Sequence, residues 1–150
     1  MQRFHSLGKP DLTLGGLRLW IHGREFPDST DYYDLNWLVI SAICEARGAR
    51  VWLERAPALM TEELQRWLHA LEQLLQGKRR RAALDTIEPY LNITVRDARP
   101  HGVWEVEVCL TPDNVNQEHQ FRFEVSGEEL NRLVQQLRGI LERYPVVGER

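Results

Sequence analysis

Two windows of the chain carry apolar residues at helical spacing, and they carry them at matching positions. In the first, Leu64, Trp67, Leu68, Leu71, Leu74 and Leu75 form a stripe; in the second, Leu130, Leu133, Val134, Leu137, Ile140 and Leu141 form another. Each residue of the first set has a counterpart 66 positions later, and Glu62, Glu63, Leu64 and Arg66 correspond to Glu128, Glu129, Leu130 and Arg132. The spacing predicts two amphipathic helices that each bury one side. Thr61 and the pair Ser126-Gly127 mark their starts, with two glutamates apiece near the positive end of the helix dipole. Gly77 suits the end of the first helix and Tyr144-Pro145 the end of the second.

Ahead of each helix the period changes to two. Leu17, Leu19 and Ile21 alternate with Arg18, Trp20 and His22; an apolar run follows from Trp37 to Cys44; then Val51 and Leu53 alternate with Trp52 and Glu54. In the second half Leu91, Ile93 and Val95 are interleaved with Asn92, Thr94 and Arg96, and Trp104, Val106, Val108 and Leu110 with Glu105, Glu107 and Cys109. Phe121, Phe123 and Val125 complete the set around Arg122 and Glu124. A hairpin turn is expected at Arg47-Gly48-Ala49 and another at Arg99-Pro100-His101-Gly102. Strands with one apolar face and helices with one apolar stripe must cover each other. The expected fold is therefore α+β: a two-layer sandwich of a mainly antiparallel sheet with two helices on one face, built from two βββα repeats. Residues 1–150 read as one domain, with an arm at 1–16, a first unit at 17–77 and a second at 88–144. Because residues 37–44 are apolar at nearly every position, both faces of that strand call for cover. The arm, anchored by Phe4, Leu7, Leu12 and Leu14, is the expected source.

Composition fits this picture. A chain of 150 residues can bury about 70% of its unfolded surface without a disulfide or metal. A net charge of -3 and a pI near 6.0 argue against sequence-independent binding to nucleic acid, which needs a basic field to displace counterions. The run Lys78-Arg79-Arg80-Arg81 departs from that balance and reads as a solvated turn after a helix. Cys44 and Cys109 lie in apolar strands, as buried reduced thiols do. With no cleavable leader and no membrane-length apolar window, a soluble, cytoplasmic protein is expected.

Few residues suggest chemistry. The segment Asp28-Ser29-Thr30-Asp31-Tyr32-Tyr33-Asp34-Leu35-Asn36 has three carboxylates at spacing three. It lacks both the alternate ligands and the glycine of a calcium loop. It reads either as a loop whose Asp and Asn side chains bond local backbone, or as an acidic patch with Tyr32 and Tyr33 that docks a basic partner. The five histidines, His5, His22, His69, His101 and His119, are scattered without metal-site spacing. No motif surrounds either cysteine, and Gly15-Gly16 lacks the lysine of a phosphate loop. No catalytic residue, cofactor or metal is therefore expected. Glu105 and Glu107 fall on one strand face, beside Arg96 or Arg122 as cross-strand partners. Trp20 and Trp52 fall on the outer sheet face, where the N-terminal arm covers them or they anchor a partner.

Several stretches together resemble the WapI-type immunity proteins of bacterial toxin–immunity systems. They are Asp34-Leu35-Asn36-Trp37-Leu38 opening a long strand, the Thr61-Glu62-Glu63-Leu64 helix start, the lead Ile87-Glu88-Pro89-Tyr90-Leu91, and the closing Glu128-Glu129-Leu130 helix ended by Tyr144-Pro145. The resemblance covers about residues 12 to 146. It implies a small cytoplasmic, non-enzymatic module that binds and neutralises a cognate toxin domain, typically a nuclease. The charge, aromatic and strand-face readings above, rather than the resemblance, supply the expected contacts: Asp28, Asp31, Tyr32, Tyr33, Asp34, Trp20, Trp52, Glu105 and Glu107. Two other readings stay open: a small-ligand-binding or enzymatic α+β domain, and a homodimeric structural protein that uses the Trp20 and Trp52 face on itself. The partner is a protein, with neither nucleic acid nor membrane, and the state is monomer or homodimer.

Overall fold

The computed structural model describes residues 2–98 and 102–148, and for residues 2 and 3 the backbone alone. The turn expected at Arg99-Pro100-His101 lies outside the described residues.

The chain is α+β and its strands are antiparallel. After a short helix α1 (Gln2–His5), strands β1 (Leu12–Leu14) and β2 (Leu17–Arg24) lead to helix α2 (Tyr32–Asn36). Strands β3 (Trp37–Ala46) and β4 (Ala49–Met60) follow, and then the long helix α3 (Thr61–Leu75). The second half holds β5 (Arg81–Leu84), β6 (Leu91–Asp97), β7 (Trp104–Leu110), β8 (Gln120–Val125) and then helix α4 (Gly127–Arg143). Both long helices start and stop where the pattern of charges, glycine and proline puts them.

Two features of the expected architecture need correction. Each half holds four strands rather than three, and the strands make two sheets, ordered β1-β2-β3-β4 and β5-β6-β7-β8, instead of one. The added strands, β1 and β5, are sheet edges of three and four residues, one inside the expected arm and the other beginning within the basic run. The sheets separate at α3. Gly77 (φ +78) ends this helix, its N–H bonding Leu74 O while Lys78 N–H bonds Gln73 O, the paired bonds that reverse a chain after a helix. The chain then runs back along α3 as β5 and starts a new sheet.

Each long helix lies along the edge strand of the other half: α3 packs on β5, α4 packs on β1, and the helices touch each other. One continuous core joins the inner faces of both sheets with both helix stripes, including Leu19, Ile40, Leu71, Val108 and Leu137. The β1–β2 turn ties the halves further. Gly15 takes φ +56 and a Cβ there would lie 2.6 Å from Phe123 of β8, while a Cβ on Gly16 would lie 1.9 Å from Glu45 O. Neither position has room for a side chain.

Of the expected cover for β3, the arm supplies part. Phe4 and Leu7 pack on Trp20 and Ile43 across the outer face of the first sheet. Leu12 and Leu14 instead point into the main core from β1.

Candidate functional site

The segment between β2 and β3 builds the most distinctive surface. Asp31 caps α2, its Oδ1 accepting from Tyr33 N–H at 2.9 Å and Asp34 N–H at 3.1 Å. Tyr32 turns inward and its hydroxyl donates to Glu62 Oε2 at 2.7 Å. Asn36 is fully buried and meets four partners. Its Nδ2 donates to Tyr32 O and Val147 O, while its Oδ1 accepts from Thr61 Oγ1 and Val147 N–H, all within 3.0 Å. Arg24 donates to Leu35 O at 2.7 Å and Pro145 O at 2.5 Å. The C-terminal tail is thus stitched beneath α2, with Gly148 against Leu35 and Tyr32.

That scaffold leaves the other side of the segment to solvent. Glu25, Phe26, Pro27, Asp28, Ser29 and Asp34 line a hollow of 400 Å³ with no basic residue in its wall. Phe26 is 45% exposed and Tyr33 is 48% exposed. Large aromatics left in water among carboxylates have the composition of a protein-docking patch. Of the residues the sequence singled out here, Asp28 and Asp34 line the hollow and Tyr33 stands beside it. Asp31 and Tyr32 are held by the bonds that build the segment. Phe26 and Glu25 escaped the sequence reading; their signal was an aromatic placed immediately before a Pro-Asp turn.

The remaining expected contacts lie on other surfaces. Trp20 is buried beneath the arm, its Nε1 donating to Gly8 O at 3.0 Å and its ring 5.5 Å from that of Phe4. With the arm in place it offers no surface to a partner. Trp52 stays exposed and shares a 410 Å³ hollow with Arg50, Pro112 and His119. Glu105 and Glu107 belong to the second sheet, where Glu107 faces Arg122 at 3.9 Å and Glu105 stands in register with Arg96 and Glu124. They do not join the acidic hollow.

Beside Trp20, Ser41 Oγ lies 2.8 Å from His22 Nε2 and accepts from Arg55 N–H at 3.0 Å. Burial lowers the His22 pKa, with Arg55 adding to the effect and Asp11 opposing it. Which of the two groups donates follows the imidazole tautomer, and Arg55 takes φ 44 where its N–H reaches Ser41 Oγ. These groups satisfy donors where the β2 and β4 registers slip. Burial pushes the Cys44 thiol up to about 12, and also raises that of Cys109, which keeps both thiols protonated at neutral pH. Among the described residues no group of three or more His, Cys, Asp or Glu is arranged to hold a metal ion. Among them, too, no helix is long and apolar enough to cross a membrane.

The two sheets and two long helices define an α+β scaffold that leaves this aromatic and acidic surface exposed. The chain belongs to the WapI-like immunity protein family, whose model matches residues 11–145. Membership points to a toxin-neutralising role exercised through protein binding rather than catalysis. No curated protein sequence matches the chain. Among solved structures it is similar to a chain in a guide-RNA-binding protein complex bound to a gRNA, at 14% identity and TM-score 0.42, covering 87% of this chain and 92% of that one. It is also similar to WHY1 from Arabidopsis thaliana, at 10% identity and TM-score 0.43, covering 87% of this chain and 78% of that one. Likeness at that level bears on neither function nor ligand.

Proposed function

We propose that this chain is a bacterial cytoplasmic immunity protein that neutralises a basic nuclease toxin by seating it on the acidic hollow. The family match over residues 11–145 carries the reading. The hollow supplies its chemistry. Nucleases grip phosphates with lysine and arginine, so an inhibitor gains association rate from carboxylates facing that field. Asp28 and Asp34 provide the charge, and Phe26 and Tyr33 provide the apolar anchors.

The test is capture of the cognate toxin domain on the purified protein, followed by stopped-flow association with an Asp28→Lys/Asp34→Lys variant. Association should slow by about tenfold or more at low salt while the unfolding midpoint stays put. Phe26→Ala should act mainly on dissociation. An unchanged association rate would remove the hollow from the interface, and a captured toxin that cleaves no nucleic acid would remove the nuclease.

A further inference from the structure

A second cleft, of 710 Å³, opens between α3 and β5 and shares no lining residue with the acidic hollow. Its floor is Ala70 and Ala83, small residues that leave depth, and Arg66, His69 and Arg79 stand on its walls. A volume of this size falls within the roughly 300–1,000 Å³ of ligand sites. Five other arginines are paired: Arg18 and Arg50 with Glu45, Arg122 with Glu107, Arg138 with Glu72, and Arg143 with Asp11. Among the described residues Arg66 and Arg79 form no salt bridge.

Glu63, three residues before Arg66 on the same helix, is already committed. Its two oxygens accept the N–H groups of Met60 and Ile87, both at 2.8 Å. Lys78, Arg80 and Arg81 are exposed at the same end of the molecule and extend the positive field. In a protein of net charge -3 this is a local cluster of cations with a cleft beneath it.

We propose that this cleft binds an extended acidic segment of a partner protein. The two arginines take its carboxylates, and Gln65 and Asp85 meet its backbone amides. The net charge of -3 sets the class of ligand, because a chain of phosphates needs a broad basic field to displace its counterions whereas a short acidic peptide needs only a local cluster. The proposal is independent of the acidic hollow.

Fluorescence anisotropy with a labelled polyglutamate peptide, and with an oligothymidylate of equal charge, tests it on the full chain. The peptide should bind saturably and more weakly as salt is added. Affinity should fall about tenfold or more in Arg66→Ala/Arg79→Ala and hold in Arg122→Ala, which removes an exposed arginine on the other sheet. No saturable peptide binding, or equal affinity in the double variant, would overturn the proposal. Oligothymidylate binding more tightly than the peptide, and lost in the double variant, would replace it with a nucleic-acid site.

Discussion

Arg138 of α4 reaches Glu72 of α3 at 3.1 Å, and the two residues occupy equivalent positions of the two helices, 66 apart. The ion pair therefore crosses the junction between the halves at corresponding points. Both side chains are more than a third exposed, so water and salt screen the attraction. A double-mutant cycle of Glu72→Ala and Arg138→Ala, followed by urea unfolding, should give a coupling energy of ~1 kcal/mol or less. A coupling well above that would mean the pair, rather than the apolar stripe beneath it, holds the helices together.

The stripe is the stronger candidate. Leu71 and Leu137 are likewise equivalent, and each is fully buried in the shared core. Leu71→Ala and Leu137→Ala should each cost about 2–5 kcal/mol, from lost transfer energy plus an unfilled cavity. Because the two helices touch, the double variant should depart from additivity. Unfolding midpoints that barely move in either single variant would refute the packing.

What the sequence displayed of this fold was set by element length. α3 and α4 run for 15 and 17 residues, long enough for a stripe to repeat several times. β1 and β5 hold three and four residues, too few for a period of two to stand out, and β5 starts in the arginine run that looks like a turn. Division into two sheets was equally hidden, because alternation marks which face of a strand is buried but not which strand pairs with it. The hollow was half visible. Asp28, Asp34 and Tyr33 drew attention by charge and aromaticity, whereas the bonds from Asn36 to Val147 span 111 residues and have no local trace. Trp20 showed the same ambiguity in reverse: its strand phase pointed outward correctly, and only the folded arm buries it.

Glu63 should leave a signature in the pH dependence of stability. Burial raises its pKa above the ordinary 4.5, against the opposing effects of the Met60 and Ile87 N–H bonds and of Arg66. The native state therefore keeps this proton to higher pH than the unfolded chain does. Its favourable contribution is complete below the unfolded pKa and is lost as pH rises through the folded one. Relative to Glu63→Gln, which cannot titrate, the parent protein should lose stability as pH climbs through the window that opens at about the unfolded carboxyl pKa. Urea midpoints for both proteins across that range would check it. Parallel profiles, or a gain with rising pH, would contradict the buried assignment.

Asn36 joins the stability of the tail to the proposed docking surface. Its amide uses both donor and acceptor ends, holding Val147 N–H and C=O, Tyr32 O and the Thr61 hydroxyl. Asn36→Leu has nearly the same volume but offers none of these bonds, so several buried polar groups would lose their partner together. At about 1–3 kcal/mol for each group left unsatisfied, the tail should detach before the protein unfolds. Loss of the tail would also take Pro145 O from Arg24, which steadies Leu35 from the other side. Tyr33 and Asp34, carried on the same short helix, would then be less fixed, and toxin binding should weaken although neither contact residue has changed. Amide hydrogen exchange at Val147 reports the first step and toxin affinity the second. Fast exchange at Val147 with unaltered affinity would separate the tail from the docking surface. Protection at Val147 equal to that of the parent protein would show that Asn36 is not what holds the tail.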